Sequence, residues 1–357
     1  MNKGWFHTDI TEDAKKLAHE VINSNSLTNG QSTKTLESEI KNIFGVKTAI
    51  YTNSGTSALA MSLLASGIGQ GDIVGTSGIG WIATVQAVKF TGADVLLLDV
   101  ENELPTLDIN IIPKVADKIT ALIPVNYNGR QVNIKEVKKL IPNKKIIEDS
   151  CKSFFSKDFD AKNYSGTNGD YGCFSLGMIS MLPGIYGGFV VTNKSEDQEI
   201  LSCLKWHGTT YKNNNEKYER FSYNFKTSNL HASFALGMLE TYQERIEKLS
   251  LIYEMYKDGL EGLENNKLLP VNKKRGEIPL LIDVVSKDRN QVTKLLNSND
   301  IPTCNYHESL DKASYTNKFQ ELKNSSKFGS MVFHTPCGPD QDLERIEKSI
   351  KILKNLG

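Results

Sequence analysis

The segment from Asn53 to Leu59 has the composition of an anion-binding turn. It follows a short apolar run and precedes a helical pattern, and its small residues let backbone N–H groups approach a ligand. The first N–H groups of a helix lack partners inside the helix and carry partial positive charge, so they favour phosphate or carboxylate groups. Gly55 and Thr56 are the candidate donors. An ordinary helix cap explains the turn equally well, because Ser and Thr are favoured there.

Two further residues could bind a flat, positively charged ring. Trp81 ends a glycine-rich turn and offers an aromatic face for stacking, although a core tryptophan is the competing explanation. Asp149 ends the run KIIED. A buried carboxylate needs a cationic or hydrogen-bonding partner, and a protonated heteroaromatic nitrogen is one such partner.

The elements that position these residues alternate between short apolar strands and amphipathic helices. Such alternation predicts an α/β fold with a mostly parallel sheet, because parallel neighbours require crossover connections. In these sheets ligands bind at the carboxyl ends of the strands, where the candidate residues lie. The predicted strands are at 48–52, 94–100, 119–125, 145–149, 173–176 and 187–192.

A long helical pattern, from about Asn229 towards Ile252, is predicted to link two domains. Beyond it the chain has a second, shorter α/β pattern, with a strand at 278–285, a helix at 291–296 and a C-terminal helix. We therefore expect a large domain over residues 1–235 and a smaller C-terminal α/β domain over residues 236–357.

Composition narrows the classes of partner. Lys and Arg together number 42, as do Asp and Glu, so the chain lacks the surplus of positive charge that duplex nucleic acid or a membrane surface favours. No apolar run reaches the ~20 residues of a membrane-spanning helix. The polar N-terminal stretch predicts no signal peptide, so we expect a cytoplasmic protein. The five cysteines lack metal-site spacing, and no metal is expected.

Several motifs, in one order, resemble those of the DegT/DnrJ/EryC1/StrS sugar aminotransferases. The resemblance covers nearly the whole chain. It implies the fold of the fold type I transferases that depend on pyridoxal phosphate (PLP), with a mostly parallel large-domain sheet of the seven-stranded type. The motifs are LTNGQ at 27–31, NSGTSAL at 53–59, WIATVQAV at 81–88, VNYNG at 125–129, EDSCKS at 148–153, GDYGCFSL at 169–176, the glycine pair at 187–188, KWHG at 205–208, YNFKTSNLHAS at 223–233 and CGPDQD at 337–342.

The resemblance also implies ligands for the cofactor phosphate. Position by position, they are the amides of Gly55 and Thr56 together with Ser175. Asn224 is expected to reach the phosphate bound by the neighbouring subunit. The resemblance therefore implies a homodimer with shared active sites.

Ring contacts and substrate class follow from the same resemblance. Trp81 is expected to stack on the pyridine ring, and Asp149 to pair with the ring nitrogen and keep it protonated. The implied substrate is a nucleotide-linked keto-sugar.

The chain departs from the family at the lysine that attaches PLP covalently. The family segment resembles F-S-x-x-x-x-K, but here Ser180 stands at the lysine position, and no lysine occurs between Lys162 and Lys194. That lysine also moves a proton between substrate and cofactor carbons. We therefore expect PLP or pyridoxamine phosphate (PMP) to bind without a covalent link, and ordinary aminotransfer to be severely slowed or absent.

Three residues are candidates for the altered chemistry: Ser180 itself, Lys152 and His207. Lys152 stands where the family usually has Gln or His. It is either an electrostatic partner for the cofactor or substrate, or a relocated base or attachment site if burial lowers its pKa. His207 is a second candidate base, with a structural role near the subunit contact as the competing explanation.

These features predict a PLP- or PMP-dependent enzyme that carries out dehydration or a modified aminotransfer. Some similar proteins, in which histidine replaces the lysine, are dehydratases that use exchangeable PMP. The alternative is a non-catalytic protein on the same fold that binds PLP or a nucleotide sugar, or serves as a partner subunit. The retained phosphate-binding and ring-binding residues favour the enzyme.

Overall fold

The structure is a computed structural model, and it describes residues 3–28, 30–212 and 215–356. Asn29 of the LTNGQ motif and the outermost residues of the two predicted domains lie outside the described residues.

Within these ranges the larger sheet has eight strands. Only β7 runs against its neighbours, so the sheet is mostly parallel, as predicted. Its strands are β1 (Thr48–Thr52), β2 (Ile73–Ser77), β3 (Asp94–Leu98), β4 (Ala121–Ile123), β5 (Lys145–Asp149), β6 (Tyr171–Ser175), β7 (Gly188–Thr192) and β13 (Asn317–Lys318), in the order β1-β7-β6-β5-β4-β2-β3-β13.

Strands β1 to β7 form the seven-stranded sheet that the resemblance implies, which confirms the fold class. The short strand β13 comes from the C-terminal part of the chain and pairs with β3. It was not predicted. Neither was β2, whose sequence IVGTS lacks a continuous apolar run.

A second sheet is wholly antiparallel, and a separate hairpin projects from the chain between α7 and α8. The second sheet has the order β10-β11-β14-β12. These remaining strands are β8 (Thr209–Lys212) and β9 (Asn215–Tyr218) in the hairpin, and β10 (Asn266–Leu268), β11 (Asp283–Ser286), β12 (Cys304–Asn305) and β14 (Val332–His334) in the sheet.

Helices cover both sheets. They are α1 (Glu12–Asn23), α2 (Gln31–Phe44), α3 (Gly55–Ala65), α4 (Ala83–Phe90), α5 (Ile112–Val115), α6 (Ile134–Leu140), α7 (Asp197–Lys205), α8 (Asn229–Leu239), α9 (Tyr242–Leu260), α10 (Arg289–Ser298), α11 (Lys323–Met331) and α12 (Leu343–Asn355). None of the described helices is long and apolar enough to cross a membrane.

Helix α8 is apolar on nearly every face because α1 and α2 pack against it. A Cβ at Gly237 would lie 2.3 Å from the backbone nitrogen of Ala14, so α1 crosses α8 at this glycine. The boundary predicted between residues 235 and 236 falls within α8 and remains a prediction.

The topology brings distant residues to one edge of the larger sheet. Strands β1, β5 and β6 point in the same direction, because β1 and β6 both run antiparallel to β7, and β5 and β6 are parallel. Their carboxyl ends lead to Ser54, Asp149 and Ser175 respectively. A ligand site is therefore expected at this edge of the sheet.

Candidate active site

A cavity of about 310 Å³ opens at this edge. One wall comes from the larger sheet and the other from the C-terminal part of the chain, including His307 and His334. Six of the residues predicted from sequence line it: Gly55, Thr56, Trp81, Asp149, Lys152 and Ser175.

The N-terminus of α3 lines one part of the cavity. Ser54 caps the helix, since its Oγ accepts the N–H of Ser57 at 3.1 Å. Gly55 and Thr56 are the first helical residues, and their N–H groups have no acceptor within the helix. A Cβ at Gly55 would lie 2.8 Å from Cys151 Sγ and 2.9 Å from the Cβ of Ser175. The space beside the helix N-terminus therefore depends on this glycine, which fits the approach of a bulky anion.

Asp149 presents a fixed, buried carboxylate to the same cavity. Its Oδ2 accepts a hydrogen bond from the hydroxyl of Thr84 at 2.6 Å, and its Oδ1 accepts the N–H of Cys151 at 3.2 Å. A carboxylate held in this way fits the protonated nitrogen of a pyridine ring. Thr84 was missed by the sequence analysis, although it lies in the WIATVQAV motif three residues after Trp81.

Trp81 lies at the opening of the cavity. Its side chain is 59% exposed, and its ring lies 4.9 Å from that of His307, at an interplanar angle of 53°. The exposed part of the ring is available to a flat ligand. Stacking on the cofactor remains a prediction.

Lys152 lines the cavity and contacts the turn that contains Ser180. Its Nζ donates to the carbonyl oxygen of Ile179 at 2.5 Å, next to Ser180 in the chain. Burial lowers the pKa of Lys152, and the neighbouring Cys151 and Asp149 only partly oppose this effect. The amino group of Lys152 thus lies close to position 180, although it comes from a different strand exit.

Ser180 is not among the residues that line this cavity. It is fully buried, its hydroxyl donates to the carbonyl oxygen of Ser175 at 2.7 Å, and its Oγ accepts the N–H of Leu182 at 3.3 Å. Both bonds fix the turn after β6. The side chain holds the loop in place, and its role in catalysis remains a prediction.

His207 and Asn224 do not line the cavity of their own chain. His207 is exposed and has a positive φ of 60° just after α7. Asn224 is also exposed, and its carbonyl oxygen accepts from the side chain of Asn53 at 3.0 Å. Their predicted roles depend on a second subunit and remain predictions.

The residues that form the C-terminal wall of the cavity were not predicted as site residues from the sequence. His334 Nδ1 lies 2.9 Å from Asp283 Oδ1, and its ring stacks on Trp5 with centroids 5.2 Å apart. Burial, and then the electrostatic effects of His334 and Lys152, lower the pKa of His307 to about 4. No local motif marks these residues, because the fold brings them to the cavity from distant parts of the sequence.

A buried ion pair supports this wall from behind. Arg130 follows β4 in the chain, and its Nη1 donates to Oδ2 of Asp283, on β11, at 2.6 Å. The side chain of Asn128 donates to the same oxygen at 2.7 Å. Arg130 also donates to the carbonyl oxygens of Leu269 and Pro270. The network joins the two sheets and holds the carboxylate that contacts His334.

The sequence also matches known proteins. The model of the DegT/DnrJ/EryC1/StrS aminotransferase family matches residues 8–354. GDP-perosamine synthase from Escherichia coli O157:H7 is 28% identical over 279 residues, which cover 76% of this chain and 74% of that protein. The uncharacterized protein MJ1066 from Methanocaldococcus jannaschii is 26% identical over 303 residues, which cover 78% of this chain and 76% of that protein.

Solved structures agree on the fold. Escherichia coli GDP-4-keto-6-deoxy-D-mannose-3-dehydratase, solved with bound hydrated PLP, superimposes with a TM-score of 0.90 at 20% identity and covers 99% of both chains. Helicobacter pylori PseC, an aminotransferase of pseudoaminic acid biosynthesis, gives a TM-score of 0.90 at 21% identity, again over 99% of both chains. The motifs, the fold type I architecture and the match over residues 8–354 lead to one conclusion: the chain belongs to the DegT/DnrJ/EryC1/StrS aminotransferase family.

Proposed function

We propose that this protein is an enzyme that uses non-covalently bound PLP or PMP to act on a nucleotide-linked keto-sugar. The observation that carries the proposal is a cavity with phosphate-binding and ring-binding sides beside a turn that has no lysine. Gly55 and Asp149 line this cavity, whereas Ser180 is buried in the turn. A chain that no longer bound the cofactor would have no need to keep both Gly55 and Asp149 in the cavity wall.

Each side of the cavity has a defined task in this proposal. When bound, PLP or PMP supplies an electron-accepting ring that weakens bonds at the adjacent carbon atoms. The N–H groups of Gly55 and Thr56, with Ser175, bind the phosphate. Asp149 keeps the ring nitrogen protonated, and Thr84 fixes the orientation of that carboxylate.

Lys152 supplies positive charge where the family lysine is absent. Its ammonium group, tied to the carbonyl of Ile179, either binds an anionic group of the cofactor or substrate or takes part in proton transfer. Without a lysine at position 180, the outcome is dehydration or a modified aminotransfer. The names of two similar proteins, GDP-perosamine synthase and GDP-4-keto-6-deoxy-D-mannose-3-dehydratase, refer to GDP-linked sugars and support this substrate class.

We further propose a cytoplasmic homodimer in which Asn224 of one subunit completes the phosphate site of the other, with His207 close to that contact. The exposed aromatic side chains Phe90, Tyr218, Phe221 and Tyr223 support an interface on this side of the molecule, because exposed apolar clusters usually mark contacts.

Cofactor binding is the first test. The protein is mixed with PLP, freed of unbound cofactor, examined by visible absorbance, reduced with borohydride and mapped by mass spectrometry. Retained PLP without a modified lysine is the expected result, and a pyridoxyl group on Lys152 would make this residue the attachment site. Failure to retain either PLP or PMP would refute the proposal.

Turnover is the second test. The PMP-loaded protein is given GDP-4-keto-6-deoxymannose, with and without glutamate, and products are identified by mass spectrometry. Loss of a hydroxyl group indicates dehydration, and gain of an amino group indicates aminotransfer. The absence of the lysine is also compatible with the alternative function, a binding protein that does not catalyse a reaction. Retention of the cofactor without turnover of any nucleotide-linked keto-sugar would favour that alternative.

A further inference from the structure

We infer that His307 is the general base of this cavity and performs the proton transfer that the missing lysine would otherwise provide. This inference rests on the function proposed above. His307 follows β12 in the C-terminal part of the chain, far in sequence from Ser180 and Lys152.

The position of the ring supports this role. His307 lines the main cavity and packs beside Trp81, with Tyr306 and Tyr127 also near, at centroid distances of 4.9, 5.9 and 6.4 Å. These three aromatic rings restrict the imidazole without using its nitrogen atoms. Among the described residues, neither nitrogen of His307 has a hydrogen-bond partner. Both are therefore available to a ligand.

Other titratable groups of the cavity are already engaged. His334 has its Nδ1 2.9 Å from Asp283 and its ring stacked on Trp5. The ammonium of Lys152 donates to the carbonyl of Ile179. Burial raises the pKa of the Cys304 thiol, which keeps it protonated. His307 is left as the side chain best able to accept a proton from a bound molecule.

The charges around His307 keep its ring neutral. Burial has the largest effect and lowers its pKa, His334 on β14 and Lys152 after β5 lower it further, and Asp283 on β11 opposes them, which gives a value of about 4. A neutral imidazole accepts protons at pH 7, and a bound phosphate or diphosphate would raise its pKa and strengthen it as a base.

The step itself is a simple transfer. The imidazole of His307 would take a proton from a carbon atom of the bound molecule, so that a C–H bond breaks and an N–H bond forms. The same N–H would then give the proton back to a carbon atom, or to an oxygen atom that leaves as water in a dehydration. When bound, the cofactor would supply a ring able to take up the electron pair of the broken C–H bond.

Exchange with solvent deuterium tests the inference separately from turnover. PLP-loaded protein in D₂O is given L-glutamate, PMP-loaded protein is given GDP-4-keto-6-deoxymannose, and incorporation of deuterium at carbon is followed by NMR. The variants are His307→Asn, His307→Ala with added imidazole, Lys152→Gln and His207→Asn. His19→Asn, on the exposed surface of α1, is the control.

We expect His307→Asn to retain PLP but to exchange roughly 10²–10⁴-fold more slowly than the wild type, the usual contribution of a general base. Free imidazole should partly restore exchange to His307→Ala, which a purely structural histidine would not show. Exchange at the wild-type rate in His307→Asn would overturn the inference but leave the proposed function intact. The same conclusion would follow if the wild-type protein retained the cofactor but exchanged hydrogen in neither probe molecule. Absence of cofactor binding by the wild type would overturn both.

Discussion

The Arg130–Asp283 ion pair behind the cavity gives a prediction that can be worked from the structure. The change is Arg130→Met, which removes the charge and keeps much of the side-chain volume. Both side chains are almost wholly buried, with 2% and 0% exposure, and their charged atoms lie 2.6 Å apart. Removal of one partner from a buried pair costs about 3–5 kcal/mol, because the other charge stays buried without compensation. Asp283 keeps contacts with Asn128 and His334, so we expect a loss near the lower end of this range.

The same ion pair makes the free energy of unfolding depend on pH. Burial by itself raises the pKa of Asp283, but Arg130, followed by His334 and Asn128, lowers it from 3.8 to about 2. A depressed carboxyl pKa contributes stability above the unfolded-state value, and this contribution is lost as the pH falls through the folded-state value. The difference of about 1.8 corresponds to about 2 kcal/mol. In Arg130→Met burial should dominate and raise this pKa, so the cost of the mutation should shrink as the pH falls from 7 towards about 4.

Urea unfolding, followed by fluorescence and circular dichroism from pH 7 to pH 4, measures both effects. Lys89→Met is the control, since the Lys89–Asp94 pair has a similar distance of 2.8 Å but is 33% and 60% exposed. An exposed pair contributes about 0–1 kcal/mol. Adding Asp283→Asn to Arg130→Met should recover part of the loss by removing the unpaired charge. The reasoning fails if Arg130→Met is no more costly than Lys89→Met at pH 7, or if the second mutation adds a full further loss.

Three other predictions concern the cavity and its loop. Gly55→Ala should weaken PLP retention, because its Cβ would lie 2.8 Å from a cysteine sulfur. Gly69→Ala is the control, since its Cβ would meet nothing closer than 3.7 Å, and it should retain PLP as the wild type does. Equal retention by the two variants, measured by absorbance, would contradict this prediction. Ile185→Gly should raise the thermal midpoint, because a β-branched residue at φ 67° costs about 1–2 kcal/mol; a lower midpoint would show that the loop needs the side chain. In the ligand-free protein the NMR signal of His307, assigned with His307→Asn, should titrate near pH 4, so that the ring is neutral above this pH. Titration near pH 6.5 would contradict the burial of this ring.

The cofactor-facing half of the cavity could be predicted from sequence because its residues lie in local patterns. Gly55 comes shortly after one apolar strand and Asp149 ends another, and the parallel topology brings these strand ends to one edge. Strand β2 escaped prediction because its glycine and hydroxyl residues resemble a loop. The sheet nevertheless buries it between β3 and β4, where pairing on both sides outweighs propensity.

The C-terminal half could not be predicted in the same way. The strand predicted at 278–285 begins only at Asp283, because the preceding backbone bonds to side chains of the other sheet region. The N–H of Leu281 donates to Asn128 at 2.7 Å, and that of Ile278 donates to Ser156 at 3.1 Å. An apolar run shows that a segment is buried, but not which polar groups will satisfy its backbone. The placement of His307 and His334 depends on this docking and so leaves no local pattern.

In the proposed function, the lack of a covalent anchor would place the whole task of cofactor retention on non-covalent contacts. In a protein with the lysine, a covalent bond retains the cofactor even if the phosphate site is imperfect. Here occupancy would depend on the N-terminus of α3, on Asp149 and on a neighbouring subunit's Asn224, so both occupancy and stability should follow the concentration of free cofactor by mass action. Such exchangeable binding would also let PMP enter and PLP leave between turnovers. Under the proposed function, the buried Ser180 and the neighbouring Lys152 would then be two parts of one arrangement, in which the turn after β6 does not hold the cofactor and proton transfer passes to His307 on the opposite wall.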